Sequence, residues 1–315
     1  MPPAQSTARL HAALSAWNRA RLGLAVPDEG WRDALRRELR MKLREGELVE
    51  RERALVAERA AAAPRDPGRF VAWFERLREE GPGQGDPLFP WLAEHATAEQ
   101  LRWFLTQEVA GEAGFDDLVA LTQVKAPVQA KLELARNYWD EMGRGRQEGM
   151  HGRMLEELAR EVGAEPGGEP VVWEAQALGN LLVALATNRR YAFQALGALG
   201  AIELTAPTRA PWVVAALRRV GVSKEGYRYF ALHATLDVKH SQAWNREIFL
   251  PLVAGRPEVA ALLAEGALLR LEAGLRCFER YRRELSVGTS SGGSQPRRTS
   301  RAPSSRANRA PMSVR

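Results

Sequence analysis

The chain is poor in cysteine and in long apolar runs, and both shortages exclude whole classes of protein. Its single cysteine, Cys277, excludes an intrachain disulfide and a zinc site built from several cysteines. It also fits a reducing compartment, and we expect a cytoplasmic protein. No run approaches the roughly 18 apolar residues that a membrane helix needs, and residues 1–14 lack the pattern of a secretory signal. The sequence therefore predicts no membrane partner.

Acidic side chains are missing from the last part of the chain, and this explains the overall charge. Residues 286–315 contain six arginines and no acidic residue, so they carry the whole net charge of +6 and leave the remainder neutral. A segment so rich in Ser, Pro, Gly and Arg cannot bury enough apolar surface to become ordered. We expect a disordered basic tail, and the neutral remainder predicts no specific nucleic-acid partner.

Strand patterns are scarce as well, whereas apolar residues recur at helical spacing almost throughout. Only residues 169–175, EPVVWEA, resemble a strand, and they could equally begin a helix. Clusters of Pro and Gly separate the helical segments. The sequence thus predicts an all-α protein. Its main helices are expected at residues 6–22, 30–62, 97–112, 126–142, 148–163, 172–188, 190–205, 208–219, 223–248 and 256–284.

Only five histidines occur, and two of them stand in the segment HATLDVKH. On a helix, residues at i, i+4 and i+7 lie within about 40° to 60° of one another around the axis, so His233, Asp237 and His240 share one stripe. Apolar residues before and after them on that stripe direct it into the core. A buried carboxylate between imidazoles must be paired or must bind a cation. A hydrogen-bonded core network explains this motif about as well as a metal site.

Two further segments carry isolated polar residues that could join this stripe. Glu203 is the only charged residue of ALGALGAIELTAP, whose small residues would let another helix approach closely. Glu141 precedes the glycine-rich sequence GRG, and His151 begins the next helical stretch. These two residues would face apart on an unbroken helix, so their convergence needs the glycine break. Glu148 is a rival of Glu141, because Glu-x2-His is the spacing of carboxylate-bridged di-iron bundles.

One more carboxylate could come from the segment LRWFLTQEVAGEAGF. Glu108 and Glu112 are four residues apart and face one way, and a solvated helix face is an equally good interpretation of each. Counted together, three histidines and four carboxylates could line one bundle interior. Mixed imidazole and carboxylate sets suit iron or manganese, whereas zinc takes fewer ligands. Seven ligands are too many for one metal ion and enough for two.

The order of these motifs resembles that of the haem-oxygenase-like diiron oxidases and oxygenases, a superfamily of iron-containing redox enzymes. The run DEMGRGRQEGMH, the lone Glu203 and the His-x3-Asp-x2-His stripe carry the resemblance, which covers about residues 66–285. It implies seven metal ligands, with Glu112 as the alternative to Glu108 and Glu148 as the alternative to Glu141. The implied set is Glu108, Glu141, His151, Glu203, His233, Asp237 and His240.

The same resemblance implies a fold and a division of the chain. The fold would be a seven-helix, haem-oxygenase-like bundle that holds two Fe2+ ions and no haem, with O2 as co-substrate. The diiron domain would occupy residues 64–285. Residues 1–63 would form a helical extension or a dimerising element, and residues 286–315 the basic tail.

The leading functional hypothesis is an oxidoreductase, an O2-dependent non-haem diiron oxidase or oxygenase that acts on a small organic molecule. N-oxygenation, oxidative C–C cleavage, desaturation and decarboxylation are the candidate reactions. A metal-free enzyme on the same fold, of the cofactor-biosynthesis or thiaminase type, is one alternative, and a non-enzymatic helical interaction protein is another. The substrate, an external electron donor and a homodimer stay open.

Overall fold

Helices make up nearly all of the regular structure. A computed structural model describes residues 4–165 and 170–288, and these ranges contain no β-strand, only the isolated bridge pair Met142–Met150. The all-α prediction is thus confirmed, and the predicted tail lies outside the described residues from 289 onward. The helices are α1 (Ala4–Leu22), α2 (Trp31–Ala61), α3 (Pro67–Glu80), α4 (Leu88–Glu94), α5 (Ala98–Glu112), α6 (Phe115–Thr122), α7 (Val128–Glu141), α8 (His151–Val162), α9 (Trp173–Thr187), α10 (Ala192–Arg219), α11 (Arg228–Trp244), α12 (Leu250–Gly255) and α13 (Val259–Glu284).

Helix α5 has well-defined signals at both ends, and they set the positions of its two carboxylates. Thr97 Oγ1 accepts a hydrogen bond from the Gln100 backbone N–H (3.2 Å), and Gln100 Oε1 accepts one from the Thr97 N–H (2.9 Å). This capping box satisfies two of the free amides at the helix start. The helix ends at Glu112 because Ala113 and Gly114 take left-handed backbone angles, with φ of 62° and 73°.

Helix α10 runs through the centre of the bundle as one unbroken element. The prediction of two helices, 190–205 and 208–219, is wrong, because the helix continues through Pro207 and Pro211. Each proline removes one backbone hydrogen bond, which disfavours an isolated helix. Packing against α4, α11 and α13 overrides that local preference. The short helices α4 and α6 were not predicted either.

Two glycines bring α10 and α13 into backbone contact. A Cβ atom on Gly197 would lie 1.9 Å from the Leu263 carbonyl oxygen, and one on Gly266 would lie 1.9 Å from that of Gln194. No side chain fits at either position, so only glycine permits this approach. The small-residue segment before Glu203 therefore does receive a neighbouring helix, as expected, and that helix is α13.

The N-terminal helices differ in how they meet the rest of the molecule. The second half of α2 packs on α13 through buried residues such as Val49 and Val56, and α1 lies against α9. The first half of α2 is exposed, and its four apolar side chains are each more than half accessible. These are Trp31, Leu35, Leu39 and Leu43. None of the described helices has the length and apolar character required to cross a bilayer. The predicted boundary after residue 63 stays a prediction.

Candidate metal centre

Six of the seven predicted ligands converge where α7, α8, α10 and α11 meet. Donor atoms of Glu141, His151 and His233 all lie within 4.8 Å of one another. The same is true of Glu141, Glu203 and His240, so that Glu141 belongs to both groups. Asp237 adjoins the second group, with its Oδ1 3.9 Å from His240 Nδ1. The arrangement offers two neighbouring cation positions that share one carboxylate.

The glycine-rich break between α7 and α8 brings Glu141 and His151 together. Gly143, Arg144 and Gly145 all take positive φ angles, of 60°, 55° and 83°. This reversal returns the chain so closely that a Cβ on Gly143 would lie 2.2 Å from the Gly149 carbonyl carbon. Glu141 Oε2 and His151 Nδ1 consequently come within 2.7 Å of each other. Glu148, the predicted rival, is exposed and belongs to neither donor group.

Backbone and side-chain contacts fix which ring nitrogen of each α11 histidine faces the centre. His233 Nδ1 lies 2.7 Å from the Tyr229 carbonyl oxygen, and because a carbonyl only accepts, Nδ1 carries the proton. This leaves Nε2 of His233 as the donor atom for a cation. In His240 the two ring nitrogens are used the other way round. Its Nε2 contacts Asp140 Oδ2 at 3.2 Å, and its Nδ1 faces the centre, 3.4 Å from Glu203 Oε2.

The carboxylate of Glu203 is oriented in the same manner. Asn137, one turn before Glu141 on α7, donates from Nδ2 to Glu203 Oε1 at 2.6 Å. Glu203 Oε2 then points toward His240 and has no hydrogen-bond partner among the described residues. Groups that orient a ligand in this way are common around metal sites, where they also increase its basicity.

Several buried polar atoms at the centre lack a partner, and this is the observation that tests whether a metal fits. Among the described residues, His151 Nδ1, Glu203 Oε2, Asp237 Oδ1 and His240 Nδ1 are buried without a hydrogen bond. The short contact of Glu141 with His151 does not count as a hydrogen bond, so His151 Nδ1 stays without a partner there. Unpaired buried polar atoms are costly, and a cation between them removes that cost. The donor set therefore fits iron, which accepts imidazole and carboxylate together.

The electrostatics of the cluster also fit a cation. Burial and the neighbouring Glu203 carboxylate raise the pKa of Glu141 and of Asp237 well above the ordinary values. Burial lowers the pKa of His151 and of His233 to about 4, so both imidazoles are neutral near pH 7, as metal ligands must be. Burial opposes the charged form of His240, but the surrounding carboxylates raise its pKa to about 9. A cation in front of Nδ1 would take the place of that proton.

The last predicted ligand, Glu108, lies along the cavity wall and outside both donor groups, as does its alternative Glu112. Burial raises the pKa of Glu108, and the charges of Arg209 and Arg270 oppose that change. Glu112 accepts hydrogen bonds from two backbone amides just beyond the end of α5, at 2.8 and 2.9 Å. Burial raises the pKa of Glu112, and these two hydrogen bonds oppose that change. Metal ligation by either carboxylate stays a prediction.

Two cavities adjoin the centre. One, of about 120 Å³, lies between α5, α9, α10, α11 and α13, and apolar side chains such as Leu182, Ile202 and Phe230 form much of its wall. Glu141, Glu203, His233 and Asp237 reach it from one side. The other cavity, of about 390 Å³, borders the glycine-rich break and touches His151 and Asp140. The first is the more enclosed and the more apolar space.

Four polar residues of this region were missed by sequence reasoning. Asp140 and Asn137 flank Glu141 in the motif NYWDE, and their spacing from it gave a weak signal. Arg209 follows Glu203 by six residues, which places it about 120° away around the axis of α10, so helical spacing gave no signal. Arg270 lies in GALLRL between Glu265 and Glu272, so it is not isolated in sequence as Glu203 is, and no local pattern marked it.

The profile of a family described as iron-containing redox enzymes matches residues 102–275, which is more than half of the chain and includes every predicted ligand. Two crystal structures of a CADD-like protein of unknown function from Nostoc punctiforme PCC 73102 resemble it. One is 19% identical with a TM-score of 0.49, over 77% of this chain and 99% of that chain. The other is 18% identical with a TM-score of 0.48, over 80% and 100%. No curated protein matches the chain.

Proposed function

The chain belongs to the family of iron-containing redox enzymes, and on that premise we propose that it is an O2-dependent non-haem diiron oxidase or oxygenase. Its substrate would be a small organic molecule held in the enclosed cavity. The observation that carries the proposal is the sharing of Glu141 between two donor groups, one with two further histidines and one with a single histidine. A single metal ion needs no such shared carboxylate, whereas sets of Glu and His from facing helices hold metal pairs in di-iron bundles.

The side chains would divide between two iron positions. Glu141, His151 and His233 would hold one ion, and Glu141, Glu203 and His240 the other, with Asp237 beside the second. Two Fe(II) ions at these positions would supply the electrons that reduce O2 and the oxidising power that acts on the substrate. No haem is required by this donor set.

The protein would balance the charge of the ions, orient their ligands and exclude water from the site. The carboxylates offset the positive charge of the ions, and the neutral imidazoles of His151 and His233 preserve affinity for Fe(II). Asp140 and Asn137 hold His240 and Glu203 in place. The apolar cavity wall keeps bulk water away from the reacting atoms.

A further carboxylate from α5 would complete the set. The sequence-based choice was Glu108, with Glu112 as the alternative. The positive charges of Arg209 and Arg270 act on Glu108, which favours Glu112 as the ligand. Its two backbone hydrogen bonds would have to be exchanged for metal ligation.

The test is iron content combined with reactivity toward O2. Protein expressed with iron should contain two iron ions per chain by elemental analysis, and anaerobic Fe(II) protein should change its absorption spectrum when mixed with O2. The His240→Ala variant should lose iron and this response. His95→Ala is the matched control, because His95 is largely exposed and distant in sequence from the donor groups.

Each outcome separates the candidate functions. Iron in wild type and in His95→Ala, with loss in His240→Ala, supports the proposal. Full iron retention in His240→Ala contradicts the ligand assignment. Turnover of a substrate by metal-free protein would favour the metal-free enzyme, and absence of metal binding would leave the chain without the proposed chemistry.

A further inference from the structure

Two arginines project into the enclosed cavity without carboxylate partners. Arg209 on α10 and Arg270 on α13 both line it, and Arg270 is only 8% exposed. The Nε atom of each is buried without a hydrogen bond, and neither side chain forms an ion pair with another described residue. A buried guanidinium left unpaired is costly, so two together require an explanation.

The arginines stand at positions of α10 and α13 that carry no donor of the two metal groups. Arg209 follows Glu203 by six residues, which is about 9 Å along the axis of α10. Arg270 extends along α13 past Gly274, where a Cβ would lie 2.7 Å from Arg270 Nη1. Gly274 thus leaves the space that the guanidinium occupies beside the cavity. Several metal donors and both arginines consequently reach the same space, the donors from α7, α10 and α11 and the arginines from α10 and α13.

Both arginines are charged near neutral pH, and both line the same cavity. Burial, and next the charge of Arg209, lower the pKa of Arg270 to about 10, which still keeps it protonated. Glu108 is the acidic side chain whose charge acts most on Arg209. None of the described carboxylates forms an ion pair with either arginine, so both guanidinium groups keep N–H donors for an anionic ligand.

Aromatic rings enclose this part of the cavity and limit what can reach it. The Arg209 guanidinium lies 5.4 Å from the ring centre of Phe278 and 5.8 Å from that of Phe89. The cavity volume of about 120 Å³ is similar to that of a cavity of about 150 Å³ that binds benzene. A compact ligand with one acid group and a short apolar body matches both the space and the missing charge.

We propose that Arg209 and Arg270 bind the carboxylate of a small monocarboxylic acid substrate, whose apolar body occupies the cavity toward the metal centre. The planar guanidinium group offers paired N–H donors that fit a carboxylate. The identity of this molecule as a substrate rests on the proposed function. Its binding does not, because neither arginine belongs to the groups of metal donors and binding can be measured without metal.

The test compares an acid with its neutral counterpart. Hexanoate and hexanol have the same chain length, and their affinities are measured by calorimetry on zinc-loaded and metal-free protein. Wild type should bind hexanoate at least about tenfold more tightly than hexanol. Arg209→Met and Arg270→Met should abolish this preference and leave hexanol affinity within about threefold of wild type.

Arg276→Met provides the matched control on α13. Arg276 does not line the cavity, and its Nη1 pairs with Glu52 Oε2 at 2.7 Å. This variant should keep the preference for hexanoate. Where a methionine variant fails to fold by circular dichroism, Arg270→Lys and Arg209→Lys replace it. Lysine keeps the charge but lacks the paired donors, so we expect a reduced preference.

Two results would overturn the proposal. Equal affinity of wild type for hexanoate and hexanol would do so, and so would an unchanged preference in the arginine variants, which would place the carboxylate on the metal. Loss of the preference in Arg276→Met to the same degree would count against it as well. If wild type prefers hexanoate but binds no iron, only the proposed function is refuted, and the acid-binding proposal stands.

Discussion

The two sides of the enclosed cavity are built from opposite charges. Around Glu141 and Glu203, buried carboxylates exceed the positive groups, and the donor atoms converge on positions for cations. Around Arg209 and Arg270, guanidinium groups exceed the single carboxylate of Glu108. Each side is electrically incomplete, and each requires a bound group of the other sign. With the proposed function and the proposed acid ligand, metal would lie on the carboxylate side and the acid group on the arginine side.

The largest loss of metal is expected from substitution of Glu141, the side chain that the two proposed metal positions share. Glu141→Gln keeps the shape of the side chain but removes the charge that both donor groups share. Metal content should fall from two ions per chain to nearly none, whereas His151→Ala should spare the position formed by Glu203 and His240. Elemental analysis after dialysis measures this. Retention of one ion in Glu141→Gln would mean that the carboxylate is not shared.

Removal of the group that orients His240 should have an intermediate effect. Asp140→Asn weakens the contact with His240 Nε2, and loss of such a partner lowers metal affinity about 10- to 100-fold. Competition with a chelator gives the affinity. Arg144→Gln is the control, because Arg144 Nε pairs with the other oxygen of Asp140 at 2.6 Å. Hexanoate binding should be unchanged in both variants, and an equal loss in the control would point to general loosening of the α7 end.

The smallest effect is expected from substitution of Glu108, and it decides whether this carboxylate pairs with the arginines or binds metal. If it balances the arginines, Glu108→Gln should keep both metal ions and bind hexanoate a few-fold more tightly, because a competing negative charge is gone. Glu112→Gln should instead reduce the metal content. The opposite pattern, with metal lost only in Glu108→Gln, would support the ligand that the sequence first indicated.

Local spacing explains which parts of this centre could be predicted. His233, Asp237 and His240 lie on one helix, where the sequence separation determines which face they share. The glycine break between α7 and α8 predicted that Glu141 and His151 would converge. The pairing of Arg209 with Arg270 depends on how α10 packs against α13, and sequence separation carries no such information. The continuity of α10 through Pro207 was missed for the same reason, since tertiary contacts decide it.

The choice between Glu108 and Glu112 shows the same limit on a smaller scale. Both residues lie on one face of α5, and the face was predicted correctly. What surrounds each carboxylate depends on where the helix ends and which helices lie opposite. The helix ends at the left-handed turn of Ala113 and Gly114, and α13 lies opposite with Arg270. Hydrophobic periodicity reveals neither feature.

The glycine contact between α10 and α13 has a consequence for the molecules that the cavity can accept. Since Gly197 and Gly266 set the separation of the two helices, they also set the span between Glu203 on one and Arg270 on the other. A bulkier residue at either position would push the helices apart and lengthen that span. The reach of an accepted molecule is thus governed by two residues that it never touches, and natural variants adapted to longer compounds should differ there.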